Sequence, residues 1–457
     1  MRATLRIALI ALGVFLMVLF LPAVVHGPFS RDAHTRVLHE HAADVYDRPL
    51  NAAPPLAAID RQANVDILAP TLYPEQQYEW ITANQKATHA LFRCMERGDC
   101  AQNQTKVVII PCSNFVLFLQ KGYVGGEAIW AHSTLQALHN MGYTVLLTFN
   151  MHSATQLYHI FANLVKMVIV NPEQADGCLR EASCVRSEKN PAGIPAWKLF
   201  SFCWWPGPAN PLGANWTLSP EDYQYGPNTY LGYSIESQCY KYPFVPHAER
   251  KKSQVYILAK FLKFFLPGKT AWPPEFYDAA ANATGRCFIE NVGPPLKQDA
   301  FYDLLSHSAA LVGVENPRLS PSPYDALCFG VPFINPISDW DKKNPTDRTK
   351  WNTQHDMLKH LSPPHVYHVF KGDRDGFVNA IRDALANPIE SYVPDRMRMT
   401  AVQDRLGKIL ERDWRVEAAE LLKAREAGTV KGPHTGMLFL LQRKLARKPG
   451  IHILHLD

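Results

Sequence analysis

Residues 106–112 read KVVIIPC, and residues 125–147 read GGEAIWAHSTLQALHNMGYTVLL. The first is a continuous β-branched run of the kind that a strand buried on both faces of a parallel sheet requires. In the second, Leu135 and Leu138 share a helical face and Gly142 stops the helix. Val145 to Leu147 then read as another strand. The spacing predicts strand, loop, helix, strand, with Gly125, Gly126 and Glu127 at the loop-to-helix turn. In open parallel sheets that turn lies at the carboxyl edge of the strands, where ligands bind. A Glu in a first helical turn also serves the helix dipole, so residue type alone leaves its role open.

The chain has 457 residues, enough for two domains of ordinary size. Its 47 Lys and Arg against 42 Asp and Glu leave a mild positive excess. No long basic run with interleaved aromatics appears, which argues against a nucleic-acid partner. Ile7 to Val25 is uncharged and follows Arg2 and Arg6. At ~1.5 Å per residue this run spans about 28 Å, close to the thickness of a bilayer core. An uncleaved signal anchor is expected over residues 1–27, leaving the rest of the chain in the lumen. The cysteines fit an oxidising compartment. Cys94 with Cys100 and Cys178 with Cys184 each bracket five residues and are expected to close small loops. Cys112 and Cys328 sit in apolar runs and read as buried free thiols. Sequons at Asn103, Asn215 and Asn282 agree with a secretory route.

Residues 28–100 read as a stem followed by leading helices, helical spacing beginning near residue 76. Strands are expected at Val107–Ile110, Tyr143–Leu147 and Met167–Val170. The Pro-rich, aromatic stretch 186–248 reads as loops capping a cleft. After a charged break near Arg250, strands are expected at Val255–Ala259, Arg286–Glu290, Ala309–Val314 and Val331–Asn335, with a helix at Gln298–Ser306. Two successive βα alternations predict two doubly wound α/β domains facing each other, over 101–249 and 250–457.

The second half repeats the strand-to-helix turn in ALVGVENPRLSPSPYDALCFGVPFINP, residues 310–336. A helix is expected from about Ser322 to Phe329, with Ser322 as its cap and Pro323 in its first turn. Such a helix start suits a diphosphate, and Asp325 suits ribose hydroxyls or simply the helix dipole.

The conjunction of both turns resembles the family-eighteen glycosyltransferases. Further matching stretches, in the family's order, are NWTLSPEDYQYGPNTYLGYSIES, LSPPHVYHVFKG and IESYVPDR, residues 215–237, 361–372 and 389–396. The resemblance covers roughly residues 105–396; the cysteine-rich tail of the animal members is absent. It implies a GT-B type fold of two Rossmann-like domains, the first holding acceptor and the second UDP-N-acetylglucosamine. It also implies an inverting transfer to N-glycans without a metal ion or other cofactor, on a Golgi membrane. Glu127 falls on the family's catalytic base, Phe202 on an aromatic of the acceptor cleft, and Asp325 on a donor-site Glu. Gly126, Ser322 and Tyr324 fall beside the donor. His355 falls where animal members place a diphosphate-binding Lys, with Lys342, Lys343 or Lys350 as substitutes for its charge. The triplets DWD at 339–341 and DRD at 373–375 imitate an Asp-x-Asp metal motif, but no metal is expected. The rival readings are another GT-B transferase with a different nucleotide sugar, or an anchored glycan-binding protein without turnover.

Overall fold

The computed structural model describes residues 79–116, 125–187, 189–223, 228–250, 254–259, 261–290 and 296–430. The expected anchor and stem lie outside them. All described residues belong to one compact unit.

The leading helix α1 (Glu79–Arg97) packs on a six-stranded, wholly parallel sheet. Its strands are β1 (Val107–Ile110), β2 (Thr144–Leu147), β3 (Val165–Val170), β4 (Leu199–Phe202), β5 (Thr217–Ser219) and β6 (Thr229–Tyr230). The order is β2-β1-β3-β4-β5-β6. Valine and isoleucine fill β1 and β3 because both faces are covered, so alternation would place polar groups in the core. Helices α2 (Gly126–Asn140), α3 (Met151–Phe161) and α4 (Pro172–Arg180) make the crossovers. The β4, β5 and β6 strands fall where sequence reading expected only loops. They have four, three and two residues, too few for a periodic signal among the prolines.

A second sheet follows the short helix α5 (Glu236–Cys239). It holds β7 (Gln254–Leu258), β8 (Cys287–Glu290), β9 (Leu311–Gly313), β10 (Phe333–Asp339), β11 (Asn352–Thr353) and β12 (Val366–Phe370). Its parallel strands run β8-β7-β9-β10-β12, and β11 adds antiparallel to the far end of β10. Helices α6 (Pro274–Thr284), α7 (Gln298–Ser306), α8 (Ser322–Cys328) and α9 (Arg374–Ala386) complete this half. Both sheets thus place their first strand between the second and third, which makes the switch point where ligands bind in doubly wound folds.

The last helices, α10 (Met399–Glu411) and α11 (Trp414–Glu426), return to the first sheet. Glu411 accepts from Lys106 Nζ at 2.7 Å and from the Tyr143 hydroxyl at 2.9 Å. The Trp414 ring packs edge-on against Phe200. One apolar cluster runs through the first sheet, α8 and these closing helices, while a second fills the other face of the second sheet.

Both expected short bridges are present, Cys94–Cys100 and Cys178–Cys184, and Cys112 is a buried thiol. Cys328 corrects its reading. It is bonded to Cys239, 89 residues away, tying α8 to α5. An apolar flank matches a buried thiol and a buried half-cystine equally well. Arg250, at the charged break, points inward. It is 5% exposed, and its guanidinium donates to Phe329 O at 2.7 Å and Gly330 O at 2.8 Å. It thereby caps the carboxyl end of α8.

Candidate functional site at the carboxyl edges of the two sheets

Helix α2 opens at Gly125, whose carbonyl accepts from Ala128 N and Ile129 N at 3.1 Å each. Glu127 lies in the first turn, partly exposed. The glycine before it has a packing reason. A Cβ on Gly126 would stand 3.0 Å from Trp204 Cη2 and 3.3 Å from Pro321 Cδ. Trp204 belongs to the loop after β4, and Pro321 is the N-cap of α8. The two strand-to-helix turns singled out in the sequence therefore meet, with Gly126 in the gap.

On the α8 side the structure differs from expectation. The helix starts at Ser322, but its cap is Pro321 and not the Ser322 side chain. The Pro321 carbonyl accepts from Tyr324 N at 2.8 Å and Asp325 N at 3.2 Å. Ser322 N turns to the Ser320 hydroxyl at 3.4 Å. Pro321 and Pro323 carry no N–H, so this short turn has little donor capacity left for an anion. The preceding loop is braced from behind. Gln354 accepts from Glu315 N at 2.9 Å and donates to Pro317 O at 3.0 Å. That bracing holds Glu315 at φ +87°, a conformation that costs a non-glycine residue free energy.

Beside the α8 turn lies a largely buried polar cluster of Glu221, Tyr233, Tyr324 and the partly buried Arg396. Glu221 follows β5 and is fully buried. It accepts from the Tyr324 hydroxyl at 3.1 Å, the Tyr233 hydroxyl at 3.4 Å and Arg396 Nη1 at 3.5 Å. Arg396 Nη2 also donates to the Tyr324 hydroxyl at 2.6 Å and Met357 O at 2.8 Å. Burial pushes the Glu221 carboxyl up to about 7, Arg396 and the two hydroxyls opposing it only in part. The two partners lean differently, because Arg396 stays charged while Glu221 is driven toward its neutral form. The upward direction for Glu221 follows from complete burial and from a guanidinium contact that is the longest of its three.

Asp325, the next residue of α8 after Tyr324, is also buried. The Tyr302 hydroxyl donates to it at 3.5 Å, and burial pushes its carboxyl up to about 8. His355 is buried, its ring edge-on to Tyr324 at 4.8 Å. Burial, followed by the Arg396 charge, holds its pKa down to about 3, so the imidazole is neutral across the physiological range. Neither ring nitrogen makes a well-formed hydrogen bond among the described residues, although the Ser320 backbone slightly favours the charged form. Arg396 Nε is also orphaned. Lys342, Lys343 and Lys350 stand exposed.

Phe202 does not line an open surface. It is 4% exposed and stacks on Trp130 at 3.4 Å between ring centroids. The Asp-x-Asp triplets have local explanations. Asp373 caps α9 by accepting from Gly376 N at 2.8 Å, and Asp341 accepts from Lys343 N at 2.8 Å. Among the described residues, no group of three or more His, Cys, Asp or Glu is placed to hold a metal ion. None of their helices is long and apolar enough to cross a membrane.

Reading the sequence for chemistry missed Glu221 and Arg396, although each stands in a stretch that carries the resemblance, SPEDYQYG and YVPDR. Their signal was an acid and a base in aromatic surroundings, which many surface loops share.

A mixed α/β fold with two largely parallel sheets is consistent with a Rossmann-like glycosyltransferase. Residues 277–420 match the sequence model of Glycosyltransferase family 18. That match supports glycosyl transfer as the class of activity, with a nucleotide-sugar donor and a glycan acceptor in general terms. No curated protein matches the chain. Among solved structures, the trehalose repressor from Escherichia coli aligns at 11% identity over 62% of this chain and 93% of its own. Its TM-score of 0.19 makes that likeness too slight to carry an argument.

Proposed function

We propose that the chain transfers N-acetylglucosamine from UDP-N-acetylglucosamine to the 6-hydroxyl of a mannose on N-glycans, with inversion. On this reading it resembles N-acetylglucosaminyltransferase V. The observation that carries the proposal is the close approach of Gly126 to Pro321, where an added Cβ would stand 3.3 Å away, so that the turn bearing Glu127 lies beside the turn of the family-matched half. Glu127 is the general base. Its carboxylate takes the proton of the acceptor hydroxyl as that oxygen attacks the anomeric carbon, opposite the departing UDP. The bond from the anomeric carbon to the phosphate oxygen breaks, and UDP keeps the electron pair. The GT-B arrangement supplies the cleft, with the first sheet toward acceptor and the second toward donor.

Donor contacts are assigned to Gly126, Ser322, Tyr324 and Asp325. The orphaned nitrogens of His355 and Arg396 offer polar capacity for an oxygen-rich group. A neutral His355 serves there as a hydrogen-bond partner rather than a charge. Arg396 and the exposed lysines are the cations left for the diphosphate, without a metal ion. The acceptor lies over the Phe202 side of the first sheet. Ile7–Val25 anchors the chain in the Golgi membrane with this site in the lumen.

The decisive experiment is transfer from UDP-N-acetylglucosamine to a biantennary N-glycan, followed by linkage analysis. A β-1,6 product on mannose supports the reading. Hydrolysis of a different nucleotide sugar in a panel of UDP- and GDP-sugars would replace it.

A further inference from the structure

The loop after β4 reads CWWPG at residues 203–207, and its two indoles have opposite fates. Trp204 is buried, packs against Gly126 and lies edge-on to Trp130 at 6.1 Å. The Tyr223 hydroxyl donates to its carbonyl. Cys203 N donates to Leu218 O at 3.1 Å, fastening the loop to β5. Pro206 and then Gly207, at φ +114°, turn the chain away. Trp205 sits between these anchors with 54% of its surface exposed. An exposed apolar ring is ordinary on a protein surface, but this one stands in a loop fastened on its amino-terminal side through Cys203 and Trp204 and turned at Gly207.

Its place in the sheet gives it a use. In a parallel sheet the loops after every strand emerge at one edge, so the loop after β4 and the turn that ends in α2 share that edge. β4 is two strands from β1, about 10 Å at the usual spacing. A Cβ on Gly126 would stand 3.0 Å from the Trp204 ring, so Trp205 is one residue beyond a side chain that closely flanks the turn bearing Glu127. Sugar rings present C–H faces that pack on indoles, and a fastened loop lowers the ordering cost of presenting one.

We propose that Trp205 is a stacking platform for a sugar ring of the glycan acceptor, placed beside Glu127. It is a binding residue, and its face is the one the buried Phe202 cannot offer. The proposal rests on reading this edge as the acceptor side of a glycosyltransferase.

The full chain is compared with Trp205→Ala and Trp205→Phe, using UDP-N-acetylglucosamine and a biantennary N-glycan. Trp205→Ala should raise KM for the glycan about tenfold, leaving kcat and the donor KM unchanged; Trp205→Phe should restore most of the loss. Independently, saturation-transfer NMR of the free glycan, without donor, should show contact to wild type that Trp205→Ala weakens. Unchanged glycan KM and NMR contact in an active, folded Trp205→Ala would overturn the platform and leave the proposed reaction standing. If wild type transfers nothing yet loses glycan contact on Trp205→Ala, the platform stands and the proposed reaction falls. A wild-type chain that neither transfers nor binds glycan overturns both.

Discussion

Replacing Glu221 by Gln isolates one buried charge between the two halves. The carboxyl accepts from two tyrosine hydroxyls and Arg396 with no access to water. Its pKa stands at about 7 against an ordinary 4.5. At about 1.36 kcal/mol per pH unit, that distance penalises the ionised form by about 3 kcal/mol. The folded state binds the proton more tightly than the unfolded one. This contribution is therefore whole below pH 4.5 and is lost as pH rises through about 7. Glutamine keeps the shape and an acceptor oxygen but does not titrate. Glu221→Gln should match wild type near pH 4.5 and gain on it by about 3 kcal/mol by pH 8.5. Glu221→Ala should instead cost about 3–5 kcal/mol, because it strands the largely enclosed Arg396 guanidinium and two buried hydroxyls. Urea unfolding at a series of pH values measures all three proteins, an unchanged slope confirming that stability alone has moved. A Gln-minus-wild-type difference that stays flat across that range, or declines with pH, refutes the reasoning.

Glu127→Gln should lower kcat by ~10²–10⁴-fold with UDP affinity and Tm nearly unchanged, read by steady-state kinetics and calorimetry. Near-wild-type turnover would reduce Glu127 to a helix-start residue. Asp325→Asn removes a carboxyl held at about 8 by burial, against an ordinary 3.8. Wild-type stability should fall as pH rises between those values, and the variant should gain on it over the same interval in thermal melts. Gly126→Ala forces a methyl to 3.0 Å from the Trp204 ring and 3.3 Å from Pro321. It should cost about 1–3 kcal/mol in urea unfolding despite alanine's better helix propensity, with a drop in kcat as the two turns part. Activity should persist in excess EDTA; recovery only on adding manganese would return Asp339, Asp341, Asp373 and Asp375 to consideration.

Sequence was sufficient where the physics is local. The β-branched runs of β1, β3 and β7 state their own burial. The bounds of α7 follow from its spacing, and two cysteine pairs a few residues apart can close only small loops. The positions of Gly126 and Glu127 at a strand-to-helix turn follow from the same pattern. Tertiary structure decided whatever depends on which distant residues become neighbours. Strands of two to four residues form in β4 to β6 because an existing sheet edge offers them hydrogen bonds, not because their sequences repeat. Cys328 met Cys239 as α8 folded back onto α5, and Glu221 met an arginine 175 residues away just before the chain returns to the first sheet. Phe202 and His355 carried residue types suited to binding, yet packing buried one against Trp130 and the other against Tyr324. Trp205, one residue from a buried twin, was left outside. Burial is a property of the closed fold, and identical side chains adjacent in sequence divide there between core and surface.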